Sequence, residues 1–214
     1  MRTYSTSPEG IESKSMLIIE EELGPKIEKF SPAEAAVVKR VIHTTADFEY
    51  ANLLAASSGA YDQALELFRN EQQVIVTDTN MIAVGINKEL LNSFDSQVKC
   101  LVAEEETRRL ALEEGLTRSI VNIRRAAGQY PEAIYAIGNA PTALYELLRL
   151  AEEGEAKPAL VIGVPVGFVE AAESKEELLK SSLPYIAVRG RKGGSTVAVA
   201  IINALMRLAS LTVS

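Results

Sequence analysis

From about residue 74 to the end of the 214-residue chain, short β-branched runs alternate with longer amphipathic stretches. Parallel strands cannot be joined by a tight turn and need a crossover helix between them, so this alternation predicts an α/β protein with a mostly parallel sheet. The expected strands are Val74 to Thr77, Val98 to Ala103, Ala133 to Ile137, Ala159 to Gly163 and Tyr185 to Val188. The expected helices lie around Lys88 to Asn92, Glu104 to Leu112, Ser119 to Ala127, Thr142 to Glu152, Ser174 to Lys180 and Thr196 to Leu208. No repeat, low-complexity tract or linker divides the chain, and its length suits one well-buried core, so residues 1–214 are expected to form a single domain.

The N-terminal third is patterned differently. Residues 1–30 read as an extension packed on the domain, with Met16-Leu17-Ile18-Ile19 compatible with an edge strand or a helix turn. Ser31-Pro32-Ala33-Glu34 combines a capping serine, a first-turn proline and a glutamate three residues on, which predicts a helix start. With no glycine or proline until Ser57-Ser58-Gly59, that helix is expected to run to about Ala55. Ser174-Lys175-Glu176-Glu177 reads as a second capping box.

Charge and cysteine content narrow the function classes. A formal net charge of −7 opposes nucleic acid and anionic membranes as partners. Cys100 is the single cysteine, in an expected buried strand, which excludes a disulfide framework or a thiolate zinc site; no metal site is expected. Met1 to Gly10 holds no apolar core of signal-peptide length, and no run approaches a membrane span, so a cytoplasmic protein is expected.

In parallel α/β sheets ligands bind beyond the carboxyl ends of the strands, which directs attention to four loops. They are Asp78-Thr79-Asn80, the stretch from Gly138 to Thr142, the stretch from Gly163 to Gly167, and Arg189-Gly190-Arg191-Lys192-Gly193-Gly194-Ser195, and they are expected to line one mouth. The last of these gathers three cations and three glycines before a helix, a setting for a carboxylate or phosphate; a solvated basic turn is the plainer alternative. It has neither the order of a Walker loop nor of a dinucleotide fingerprint. Gly138 is expected to permit close ligand approach and Asn139 to donate and accept beside it, while Pro141 reads as a helix starter. His43 is the sole histidine, hence the one side chain whose ordinary pKa lies near neutrality. Helical spacing puts Arg40, His43 and Asp47 on one face, with Asp47 placed to orient the imidazole or simply to pair with Arg40.

Several blocks then occur in a fixed order: Ser15-Met16, Arg40-Val41-Ile42-His43, Asp78-Thr79-Asn80-Met81, the run from Ala136 to Leu144, Gly163 to Val169 with Ala171 to Lys175, and Arg189 to Ser195. Together they resemble the precorrin-8X methylmutase family of corrin biosynthesis, including its cobalt-precorrin-8 branch. The resemblance implies a three-layer α/β/α sandwich with a flavodoxin-like sheet, a homodimer, and an isomerase that needs no cofactor. The implied reaction moves a methyl group from ring carbon 11 to ring carbon 12 of precorrin-8X or cobalt-precorrin-8, giving hydrogenobyrinate or cobyrinate. It makes His43 the acid/base group and Ser15 and Arg40 substrate contacts. Such a substrate is a conjugated macrocycle fringed with carboxylates, so it calls for apolar walls and a cationic rim. Ile137, Val164, Pro165, Val166 and Phe168 are the expected walls; Arg40, Arg189, Arg191 and Lys192 the expected rim, with Thr79, Asn139, Gly193, Gly194 and Ser195 as further contacts. The Asp78 to Met81 pattern leans toward the cobalt branch. A non-catalytic tetrapyrrole carrier and a phosphate-ester enzyme are the competing classes.

Overall fold

The computed structural model describes residues 7–70 and 72–211, apart from the side chains of Pro8 and Glu9; most of the Met1 to Gly10 segment lies outside the described residues. In chain order the elements are α1 (Pro8–Leu23), a 3₁₀ segment (Gly24–Lys29), α2 (Pro32–Thr45), α3 (Tyr50–Leu53), β1 (Leu54–Ala56), α4 (Ala60–Asn70), β2 (Val74–Thr77) and α5 (Asn80–Gly85). They continue with α6 (Lys88–Ser93), β3 (Gln97–Lys99), α7 (Glu105–Glu114), α8 (Arg118–Gln129), β4 (Ile134–Ile137), α9 (Pro141–Glu152), β5 (Leu160–Gly163), α10 (Ala171–Lys180), β6 (Tyr185–Val188) and α11 (Ser195–Leu211).

Among the described residues, six strands form one sheet in the order β1-β6-β5-β4-β2-β3. β2 to β6 pair in parallel and β1 pairs antiparallel on the β6 edge, with Leu54 opposite Val188. Numbering only the parallel strands along the chain, their spatial order is the flavodoxin-like 2-1-3-4-5, with the switch point between β2 and β4. The four inner strands, β2, β4, β5 and β6, are almost wholly buried because helices cover both faces, while the edge strands β1 and β3 are partly exposed. On one face Val37, Val41 and Ile42 of α2 pack with Ala64 and Phe68 of α4 and with Val197, Ile201 and Leu205 of α11. On the other, Ile123 of α8, Leu144 and Leu147 of α9 and Leu178 of α10 cover Tyr135, Ile137 and Val161. The three-layer sandwich is as expected, and α11 owes its central place to an apolar surface too wide for an exposed helix.

Three local expectations are corrected. α2 ends at Thr45 rather than near Ala55: Thr44 and Thr45 turn their hydroxyls back onto the Arg40 and Val41 carbonyls, and Ala46 adopts the left-handed conformation at φ 53°. The released segment supplies α3 and the unforeseen strand β1. α10 starts at Ala171, so Ser174 is no cap; it is fully buried inside the helix and its hydroxyl donates to Ala171 O. β3 ends at Lys99, leaving Cys100 half-buried just past the strand rather than within it. The N-terminal extension is mainly helical, and Ile19 and Leu23 of α1 reach the core while Ile11, Leu17 and Ile18 stay exposed.

Candidate active site

At the switch point, where a ligand is usually expected, the crevice holds one of the protein's own carboxylates. Asp78 follows β2 and is 1 % exposed. Its two oxygens accept from the amides of Gly138, Asn139 and Ala140 at 3.0, 2.9 and 2.8 Å. Ala140 caps α9 without a side-chain bond of its own, so a residue about sixty positions earlier supplies an anion where the helix dipole favours one. Burial pushes the Asp78 carboxyl up, against three amides that favour its ionised form.

The four loops do meet, but chiefly by bonding one another. Thr79 accepts from the Ile82 amide as the cap of α5, and its hydroxyl meets that of Ser195 at 3.0 Å. Gly138 approaches protein rather than ligand: a Cβ there would lie 2.8 Å from the Ser195 Cα. Gly194 N donates to Val164 O at 2.8 Å, and Gly167 N to Arg191 O at 3.2 Å. Gly193 sits at φ +149°, and a Cβ on it would stand 2.2 Å from the Val164 carbonyl oxygen, so only glycine fits this crossing without displacement. The Gly193 amide is bonded to the Tyr50 hydroxyl.

The cations of the Arg189 to Ser195 loop have protein partners too. Lys192 Nζ is bonded to Asp47 and, at 2.7 Å, to Glu49, which together hold its pKa above the ordinary lysine value. Asp47 lies beyond the left-handed Ala46, and its carboxylate serves Lys192 and the Glu49 amide instead of continuing the Arg40 and His43 face of α2. Arg189 pairs with Glu176 at 3.5 Å, and the Arg191 guanidinium lies 5.5 Å from the centre of the Phe168 ring. Of the expected apolar walls, Ile137, Val164 and Pro165 are buried and cannot face a ligand; Val166 and Phe168 are exposed, as is Asn139.

Lys175 escaped the sequence reading as a site residue because it sits inside a charged helical run. It is fully buried, and its ammonium donates to Lys192 O at 2.7 Å beneath the glycine-rich loop. Burial lowers its pKa from 10.5 to about 8. In that case the unfolded chain holds the proton more tightly than the folded one. A destabilising contribution is therefore present in full below about pH 8, is relieved as pH rises, and is gone above the unfolded value of 10.5. Between pH 7.5 and 9.5 the stability of the parent should gain about 2 kcal/mol relative to Lys175→Met. Urea unfolding of both proteins across that range checks it, and a constant difference would show that Lys175 carries no such burden.

The open cavity lies to one side of the loops, between α2, α5 and α11. Arg40, Thr44, Met81, Val84, Thr196 and Val199 are among the residues bordering a hollow of about 470 Å³. Met81 and Val84 are exposed there, giving it an apolar floor at the mouth. His43 stands exposed on the last turn of α2, between Arg40 and Thr44. Arg40 Nη2 donates to Glu12 of α1 at 2.6 Å, and Arg207 of α11 joins the same carboxylate oxygen at 3.3 Å. Those contacts hold the Glu12 carboxyl below its usual range, with the charges of Arg40, Arg207 and His43 adding to the effect. Ser15 lies on α1, half-buried, its hydroxyl donating to Ile11 O at 2.9 Å. Arg207 went unnoticed in the sequence because nothing in its neighbourhood on α11 marks it; only the packing of α1 and α2 brings it to Arg40.

Among the described residues, no group of three or more metal-ligating side chains is gathered, and no helix is long and apolar enough to cross a membrane. Comparison with known proteins agrees with the fold. The cobalt-precorrin-8 methylmutase of Priestia megaterium is 45% identical, over 97% of this chain and 91% of its own length. That of Leptospira interrogans is 43% identical over 98% of both chains. The crystal structure of the precorrin-8X methylmutase from Thermus thermophilus superposes with a TM-score of 0.85 at 42% identity, covering 94% of this chain and 97% of that one. A family model described as precorrin-8X methylmutase matches residues 10–208, and the chain thus belongs to the precorrin-8X methylmutases, isomerases of cobalamin biosynthesis.

Proposed function

We propose that the chain moves a methyl group from ring carbon 11 to ring carbon 12 of precorrin-8X or cobalt-precorrin-8, with His43 as the residue that lends and recovers a proton. What supports this reading is the placement of His43. It is exposed between two residues that border the hollow, Arg40 and Thr44, and the Arg40 guanidinium faces both this hollow and α1. Protonation of a ring position makes the conjugated system electron-poor and eases the 1,5-shift of the methyl group; returning the proton to His43 restores the ring. No redox change or cofactor is required, since the product is an isomer of the substrate. Arg40 takes a ring carboxylate, the half-buried Ser15 a polar substituent near α1, and Arg191 a carboxylate at the outer rim. Thr79, Asn139, Arg189, Lys192, Gly193, Gly194 and Ser195 act mainly by fixing the loops around that rim. The two relatives above are named for the cobalt-bearing substrate, which supports the cobalt branch for this chain.

The hollow is open and small for a macrocycle with carboxylate arms, so we further propose a homodimer in the cytoplasm whose second copy covers the exposed ring face. Sedimentation equilibrium should return twice the 23.2 kDa chain mass. A monomer at micromolar concentration would remove that part of the proposal. For the reaction itself, incubation with either precorrin-8 form is followed in the visible spectrum. Many turnovers to the corrin product are expected; a stoichiometric spectral change without turnover would instead indicate a tetrapyrrole carrier.

A further inference from the structure

The meeting point of α1, α2 and α11 has an arrangement that a helix-packing contact alone does not call for. Two guanidiniums, Arg40 and Arg207, converge on a single oxygen of Glu12, at 2.6 and 3.3 Å. Two like charges this close are favourable only while an anion lies between them. The cluster still carries one positive charge in excess, on a chain whose net charge is −7. Arg40 and Arg207 are also the two residues shared by the hollow of about 470 Å³ and by a second one of about 580 Å³ under α1. The Glu12 carboxylate and the two arginines therefore form the partition between these spaces.

The hold on Glu12 is local. The side chains of α1 that are described as buried, Ile19 and Leu23, lie in its C-terminal half, where Glu20 also pairs with Lys39 at 3.1 Å. In the N-terminal half, among the described residues, the ion pairs to the domain are those of Glu12. The Arg207 and Glu12 side chains keep 54% and 38% of their exposure, so water and solutes reach the pair.

From this geometry we infer that Arg40 and Arg207 form a two-guanidinium seat for one carboxylate arm of the macrocycle, which Glu12 occupies as an internal stand-in until substrate displaces it. The inference rests on the reading that the hollow receives the corrinoid. One carboxylate exchanging for another leaves neither guanidinium unpaired at any stage, so the exchange avoids the cost of stranding a partly buried charge. It releases the Glu12 ion pairs of the N-terminal half of α1 while the core contacts of Ile19 and Leu23 stay in place.

Steady-state kinetics with precorrin-8, and visible titration with the corrin product, test the seat in the full-length protein. Arg207→Gln should raise KM and the product Kd about tenfold or more while kcat changes by less than about twofold, and Arg207→Lys should recover part of the loss. Glu12→Gln should move the other way, lowering KM and Kd about threefold or more, because the competing charge is gone. In the double variant the gain from Glu12→Gln should shrink, since the seat it vacates has lost half its charge. Thermal melts confirm that each variant is folded. If Glu12 merely pins α1, Glu12→Gln lowers the melting temperature and leaves KM unchanged or raised, which overturns the inference. Unchanged KM and Kd in Arg207→Gln overturn it as well. A failure of the methylmutase reading is distinguishable, because the parent protein would then show no turnover and no product binding at all.

Discussion

Replacement of His43 by Ala is expected to lower turnover of precorrin-8 by about 10²–10⁴-fold, the range that a positioned general acid or base contributes, while the corrin product still binds within about threefold of the parent Kd. The substitution should act on chemistry alone. His43 is exposed on the last turn of α2, outside the buried Val37, Val41 and Ile42 stripe that holds this helix on the sheet. An exposed truncation of this kind usually changes stability by no more than about 0.5 kcal/mol, so melting of the variant should match the parent. His43→Asn, which keeps size and polarity but cannot carry a proton in the neutral range, should be as slow as His43→Ala. The residual rate would measure what orientation and exclusion of water from the ring supply without proton transfer. Turnover at the parent rate in either variant would deprive His43 of its role and move attention to the polar residues that border the hollow, such as Arg40 and Thr44.

The legibility of the sequence was uneven, and the unevenness has a physical pattern. Four of the five parallel strands, β2, β4, β5 and β6, are buried or nearly so, and their composition says so: Val-Ile-Val-Thr at β2 and Leu-Val-Ile-Gly at β5 are largely apolar runs, whereas the edge strand β3 is partly exposed. β1 escaped notice because Leu54-Ala55-Ala56 has no intrinsic β preference; it is a strand only because β6 offers an edge to pair with. The end of α2 was missed because a left-handed alanine stops it where a glycine would have announced the stop. Ser174 misled for the opposite reason, presenting a sound capping-box pattern at a position already buried inside α10.

The candidate site shows the same division. The glycine-rich loop and the strand-end loops were visible as local motifs, yet their partners were not. Lys192 faces Asp47 and Glu49, and Ser195 faces Thr79, through contacts that span more than a hundred residues. A pattern rich in cations and glycines is legible; whether those groups turn toward a ligand or toward the protein depends on long-range packing. The pairing of Arg207 with Glu12, at opposite ends of the chain, lies beyond any local pattern.

Asp78 carries this dependence furthest, and Asp78→Ala should be the most damaging single change to the fold around the site. Three backbone amides, of Gly138, Asn139 and Ala140, lose their acceptor at once. Two of those residues are buried, so water cannot fully replace the carboxylate without opening the switch-point crevice. The cost of burying the carboxylate itself is recovered in the variant, which leaves a net loss of about 3–5 kcal/mol, the range for removing one member of a buried charged network. For a chain of this size that corresponds to a fall of roughly 10 °C in melting temperature. Asp78→Asn should lose less, because one oxygen can still accept while its amide group faces donors with nothing to offer them. The functional effect should follow the structural one. Thr79 next to Asp78 meets Ser195 at the head of α11, and Thr196 beyond it borders the hollow beside Arg40, so loosening the crevice should raise KM for precorrin-8 even with His43 intact. A melting temperature within about 2 °C of the parent in Asp78→Ala would show that the amides find other acceptors and that the crevice does not depend on this carboxylate.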